Sequence, residues 1–242
     1  MSWPVPSPVH HDSNALRVGG VVLCGGRSSR MGRSKALLPV GPEVMLQRVC
    51  RTLASSVQSI IVVAAAEQEL PDLSNAWLSK NQSCEPERST ESSWVTETPF
   101  IQVARDTVEY RGPLAGLAVG IARLAGEVDC VYASACDAPL LLPSFVRAMI
   151  EALGDAEIAV PFDGRFHHPL AAVYRVSVLP IIEELLAADR LRPVFLFETC
   201  RTREVAIDDL RSVDPQLDSL WNTNTPEEYE QALARISQKE TP

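Results

Sequence analysis

Residues Val18 to Cys24 form a short apolar run that stops at Gly25-Gly26, and Ile60 to Ala65 form a second. Between them Leu46, Val49, Cys50 and Leu53 fall at i, i+3, i+4 and i+7, the spacing of one helical face. Strand, helix, strand in that order is a βαβ unit. Strands joined by a crossover helix run parallel, and a parallel sheet needs helices on both faces. The start of the chain thus commits it to an open α/β sheet.

The same alternation continues further on. Phe100 to Ala104 reads as a strand, and Leu114, Leu117, Ala118 and Ile121 mark a helix. Asp129 to Ala135 is the next strand. Phe145, Ala148, Met149 and Ala152 give a helix opened by Pro143-Ser144. Glu157 to Val160 and Pro169 to Tyr174 are strands, and Val178, Ile181, Ile182 and Leu185 lie on a helix. Pro226 to Ile236 closes the series as a helix, with Thr225 as its N-cap and Pro226 in its first position. The predicted fold is α/β: an open, mostly parallel Rossmann-like sheet with helices on both faces. Ligands of such sheets sit beyond the carboxyl ends of the strands.

The 242 residues suit one large domain, taken here as 18–236. Residues 1–17 are rich in Pro and polar groups and lack the basic start and apolar middle of a secretory signal, so they read as a disordered leader. Residues 67–99 are polar and without periodicity, which predicts a flexible insertion, and 237–242 form a tail. No apolar run is long enough to span a membrane. A net charge of −9 argues against nucleic-acid and membrane partners. Cys24, Cys50, Cys84, Cys130, Cys136 and Cys200 form no C-x-x-C pair, which fits reduced thiols in a cytoplasmic protein.

Against that acidic background, Leu23 to Lys35 stands out. Arg27, Arg30, Arg33 and Lys35 place four cations in nine residues with no acid among them. They follow the first strand and a double glycine whose main chain can approach a phosphate. A polyphosphate ligand explains that excess through charge-assisted hydrogen bonds. The Walker loop and the dinucleotide fingerprint are both excluded: Gly32 is followed by Arg33-Ser34-Lys35, and no G-x-G-x-x-G occurs.

Asp137 follows the strand ending at Ala135, in Cys136-Asp137-Ala138-Pro139. It is either a ligand for Mg²⁺, which takes one or two carboxylates plus phosphate oxygens, or a cap for the turn at Pro139. Asp106 is either a nucleoside contact or metal support, or an Asx-turn residue. Gly112 and Pro113, in the Gly112-Pro113-Leu114-Ala115-Gly116 loop that opens a helix, are candidates for substrate contact. Gly116 serves either ligand approach or helix–sheet packing. Arg165, His167 and His168 lie in a predicted hairpin or loop, where the histidines read as a structural pair before a proton shuttle. Asn222 and Asn224 are candidate hydrogen-bonders in the crevice.

Together these motifs resemble the molybdenum cofactor guanylyltransferases. The resemblance rests on LCGGRSSRMGRSKALLP, RDTVEYRGPLAGL, CDAPLL, HHPLAAVY and WNTNTPEEY, in the family's order, over about Val18 to Ala232. It implies a nucleotide-diphospho-sugar-transferase-like fold and a Mg²⁺-dependent transfer of GMP from GTP to molybdopterin, with release of pyrophosphate. It implies that Leu23, Cys24, Gly25 and Gly26 line the guanine and phosphate site and that Lys35 meets the triphosphate. Asp106 contacts the nucleotide, Asp137 binds Mg²⁺ and GTP, and Asn222 and Asn224 lie near the pterin. Lys35, Asp137 and Arg30 are the residues expected to carry the chemistry. The double glycine favours GTP, since CTP-using relatives usually have Ala-Gly there.

Three positions depart from the family pattern. Ser34 stands where Asp often precedes the lysine, which weakens an ion pair orienting Lys35. Ala64-Ala65-Ala66 replace an Asn often seen after the second strand, and His167 replaces an acid. The alternatives are transfer of CMP to molybdopterin, transfer to a sugar or polyol phosphate, and a nucleotide-binding protein without turnover. A protein that delivers molybdopterin, or a molybdoenzyme that receives the product, would be a natural partner.

Overall fold

The computed structural model describes residues 16–24, 34–74, 77, 99–106 and 111–240. Its main sheet has seven strands in the order β5-β4-β1-β6-β8-β7-β9. These are β1 Val18–Leu23, β4 Ser59–Ala65, β5 Phe100–Asp106, β6 Cys130–Ala135, β7 Ile158–Phe162, β8 Ala171–Arg175 and β9 Thr202–Ala206. β8 is antiparallel to both its neighbours, and the other pairings are parallel. β2 Pro39–Val40 and β3 Glu43–Val44 make a separate two-stranded ladder. β1 lies between β4 and β6, so the connections leave it in opposite directions. Such a switch point opens a crevice at the carboxyl end.

The strands alternate as the pleat requires. Val22, Val62 and Tyr132 face one core, with α1 (Met45–Leu53) and α3 (Pro143–Leu153) packed against them. Val21, Ile61, Val63 and Val131 face the other, under α2 (Gly112–Leu124) and α4 (Leu179–Ala187). On this second face α2 comes very close to β1. A Cβ at Gly116 would lie 3.1 Å from a methyl of Leu23, and one at Gly120 only 2.4 Å from a methyl of Val21. Gly116 is therefore a packing residue, the second of its two sequence readings.

The chain after α4 holds elements the periodicity did not signal: α5 (Val194–Thr199), β9 and the short α6 (Ile207–Leu210). β9 is an edge strand whose residues are exposed or half-buried, so it lacks an apolar pattern. α7 (Pro226–Glu240) closes the chain. Its start is a reciprocal capping box: the Glu228 amide donates to Thr225 Oγ1 at 3.2 Å, and the Thr225 amide donates to Glu228 Oε2 at 3.0 Å. Within the 67–99 stretch, Leu70 and Leu73 pack on the first core. Apart from Trp77, the remainder from 75 to 98 is outside the described residues. Among the described residues, no helix is long and apolar enough to cross a membrane.

Candidate active site

The register pairs Leu23 with Ala135 at the carboxyl ends of β1 and β6. The chain continues on both strands, with Cys24 donating to the Val63 carbonyl at 2.8 Å and Cys136 to the Leu23 carbonyl at 3.0 Å. Asp137 emerges one residue later, at the mouth of the crevice. Lys35 approaches from a single 3₁₀ turn, Lys35–Leu37. Its Nζ donates to Asp137 Oδ2 at 2.7 Å and to Asn224 Oδ1 at 2.8 Å. Two residues, 102 and 189 positions along the chain from Lys35, thus converge on its ammonium. The side chains of Lys35 and Asp137 keep 18% and 14% of their surface, so the pair is shielded yet reachable from the crevice.

This arrangement corrects one expectation. Ser34 does not leave Lys35 without orientation, because Asp137 and Asn224 supply it across the fold. Ser34 Oγ instead accepts a long hydrogen bond from Gln68 Nε2 at 3.4 Å. Gln68 in turn accepts from the Ala65 amide at 3.3 Å, which ties down the alanine segment after β4.

The turn that carries Asp137 is held from several sides. Arg48 Nε donates to the Pro139 carbonyl at 2.9 Å. Arg48 and Arg51 share the buried carboxylate of Glu43 at 3.4 and 2.7 Å, so α1 and β3 hold Arg48 in place. The Asp137 carbonyl accepts from Thr223. None of these supports was visible in the sequence, since each joins segments far apart. A polar residue between Asn222 and Asn224 was the only local signal for Thr223.

The side chains of Leu23 and Cys24 turn into the two cores, so a ligand would meet them through the main chain. The Cys24 thiol is pushed well up, first by its hydrogen bond with Cys136 and then by burial. Burial raises Cys130 to about 12 and Cys200 to about 11. Cys24, Cys50, Cys130, Cys136 and Cys200 are all buried free thiols. Cys84 lies outside the described residues, as do Gly25, Gly26, Arg27, Arg30 and Arg33.

Other candidates are more dispersed. Asp106 ends β5, in register with Ala65 and three strands from β6. At strand spacing that is about 14 Å from Asp137, too far to share one ion. Gly112 and Pro113 are exposed at the start of α2, and Gly112 has φ +77°, which a side chain would strain. Asn222 is exposed beside Asn224. His167 and His168 behave as structural residues. His167 packs between Phe162 and Phe197 and contacts Glu204 Oε1 at 2.7 Å. His168 is held below its ordinary pKa by burial, which Asp163 opposes at 3.7 Å. Arg165 is exposed at the turn, its guanidinium over Phe166.

A profile of the MobA-like NTP transferase domain matches residues 20–203. The chain belongs to the MobA-like NTP transferase family. The molybdenum cofactor guanylyltransferase of Desulfosudis oleivorans is 30% identical over 221 residues, covering 90% of this chain and 96% of its own. Two solved structures show the same fold. Molybdopterin-guanine dinucleotide biosynthesis protein A from Archaeoglobus fulgidus aligns at TM-score 0.66 and 21% identity, over 91% of this chain and 99% of its own. The 4-diphosphocytidyl-2C-methyl-D-erythritol synthase of Anaerococcus prevotii aligns at TM-score 0.60 and 12% identity, over 92% and 99%. The MobA-like chain thus has the nucleotide-diphospho-sugar transferase fold, with its Lys35–Asp137 pair at the switch point of the sheet.

Proposed function

We propose that this MobA-like chain transfers GMP from GTP to molybdopterin and releases pyrophosphate. The observation that carries the reading is the meeting of Lys35, Asp137 and Asn224 at the carboxyl ends of β1 and β6. The relative from Desulfosudis oleivorans, similar over nearly its whole length, supports the choice of donor and acceptor.

In this reaction the terminal phosphate oxygen of molybdopterin attacks the α-phosphorus of GTP. The new O–Pα bond forms as the bond from Pα to the β-phosphate oxygen breaks, and pyrophosphate carries away the electron pair. The nucleophile is already an anion, so no strong general base is required. The obstacle is the approach of two polyanions, and fixed positive charge and positioning address it. Lys35 divides its hydrogen bonds between Asp137 and Asn224. A bound triphosphate competes for that ammonium, and Lys35 then neutralises charge as pyrophosphate departs. Arg30, on the basic loop, adds to that charge. Asp106 takes the nucleoside end, and Gly112, Pro113, Asn222 and Asn224 take the acceptor.

The donor set fits Mg²⁺. Among the described residues no group of three or more His, Cys, Asp or Glu could hold a metal. Asp137 offers one hard carboxylate at the crevice mouth and would hold the ion together with triphosphate oxygens and water, the ligands that Mg²⁺ prefers. When bound there, Mg²⁺ would supply further neutralisation of the phosphate oxygens.

The test mixes purified protein with Mg²⁺, molybdopterin and each of GTP, CTP, ATP and UTP, and records pyrophosphate release. Release with GTP that depends on molybdopterin is expected. Asp137→Ala should lower kcat by about 10²–10³-fold while its urea midpoint stays close to that of the parent. Unchanged turnover in that variant would refute the site, and release with CTP alone would move the base assignment.

A further inference from the structure

Thr223 is a polar residue with 0% exposure that no part of the mechanism above uses. Its amide donates to the Asp137 carbonyl at 2.9 Å. Its hydroxyl donates to the same oxygen at 2.8 Å, and Met45 Sδ lies 3.3 Å from that hydroxyl. A carbonyl has two lone pairs, so one residue satisfies both. The next residue, Asn224, accepts from Lys35 Nζ at 2.8 Å. Two consecutive residues therefore touch both members of the Lys35–Asp137 pair, one through the Asp137 main chain and one through the ammonium.

The segment that carries them is anchored at both ends. Upstream, the buried Asp214 accepts from the amides of Asp218 and Ser219 at 3.0 and 2.7 Å, and Ser219 Oγ accepts from the Leu142 amide at 3.1 Å. Downstream, Glu228 Oε2 accepts from the Asn224 amide at 2.7 Å as part of the capping box. A segment fixed in this way transmits its position to whatever it holds, and what it holds is the turn bearing Asp137.

We propose that Thr223 is a positioning residue: its paired hydrogen bonds to the Asp137 carbonyl set the carboxylate of Asp137 against the Lys35 ammonium in the geometry the transfer requires. The assignment rests on the nucleotidyltransferase reading for its kinetic consequence and on the hydrogen bonds alone for its structural one. Transfer chemistry is sensitive to displacements of about 1 Å, so the loss falls on kcat rather than on substrate binding.

Thr223→Val keeps the amide and nearly the volume, and replaces the hydroxyl by a methyl group. Its kcat for pyrophosphate release from GTP should fall about tenfold, with KM for GTP within about twofold of the parent. Thr223→Ser, which restores the hydroxyl, should recover most of that kcat. A parental kcat in Thr223→Val overturns the proposal. Equal loss in both variants also overturns it, because serine keeps the hydroxyl and would then gain nothing from it. Hydrogen exchange at the amide of residue 223, followed by NMR, reads the clamp without turnover. Exchange should quicken in Thr223→Val and hold in Thr223→Ser, and unchanged exchange in Thr223→Val counts against the clamp. If the parent protein releases no pyrophosphate from any nucleotide while this exchange pattern is seen, the transfer reading fails and the clamp stands.

Discussion

Gly120→Ala is a one-carbon change whose outcome can be worked from the packing of α2 on β1. The new Cβ would lie 2.4 and 2.8 Å from the two methyls of Val21 and 3.2 Å from its Cβ. Carbon atoms pack at about 3.5–4.0 Å, so the methyl contacts are short by roughly 1 Å. Val21 is fully buried on a central strand, and turning its side chain does not move its own Cβ away. Relief requires α2 to lift from the sheet, loosening Leu117, Ile121 and Leu124 with it. Overpacking of this kind costs about 1–3 kcal/mol, and the absence of a soft neighbour places Gly120→Ala in the upper half of that range. Replacing glycine by alanine within a helix returns about 1 kcal/mol. Overpacking wins, with a net loss of about 1–2 kcal/mol and a fall in Tm of about 2–8 °C for a chain of this size. Urea denaturation and calorimetry measure both. Val21→Ala removes the two offending methyls, so the double variant should be more stable than the sum of the single losses predicts, by about 1 kcal/mol or more. A Gly120→Ala protein that melts at or above the parent refutes the reasoning.

Two further outcomes follow from charges placed by the fold. Asp218 is buried at 1% exposure and pairs with Arg235 and with Lys239 at 2.7 Å, fastening α7 to the segment that leads to Thr223. Asp218→Ala should cost about 2 kcal/mol, below the usual figure for a broken buried pair because both cations can turn to water; an unchanged urea midpoint would contradict it. His168 is held below its ordinary pKa by burial, so the unfolded chain binds its proton more readily than the folded one. Its contribution is intact above about pH 6.5 and is lost as pH falls through the folded value. The urea midpoint should therefore decline as pH falls below about 6.5, and His168→Gln should flatten that decline; an equal slope in the variant would dismiss His168 as the cause.

Much of the architecture was written in local pattern. The i, i+3, i+4, i+7 face of α1 and the apolar runs of β1, β4 and β6 need only near neighbours and the period of the backbone, so they could be read directly. The same is true of the Thr225–Glu228 capping box, whose members are three residues apart. β9 escaped because it is an edge strand without a buried face, and the antiparallel sense of β8 is a property of its neighbours rather than of its residues.

The site divides along the same line. That a basic, glycine-bearing loop follows the first strand, and that Asp137 ends another, is local information, and the expectation of a phosphate-handling crevice rests on it. That Lys35 finds its partner in Asp137 rather than at position 34 is not local, because the two are 102 residues apart and meet only once β1 and β6 lie side by side. Thr223 and Gly120 teach the same point from opposite sides. A threonine in a polar segment and a glycine in a helix have no special meaning in sequence. One acquires its role from a carbonyl 86 positions away, and the other from a valine on the strand beneath it. Hydrogen-bond partners and contact distances between remote segments are set by packing, and packing exists only in the folded chain.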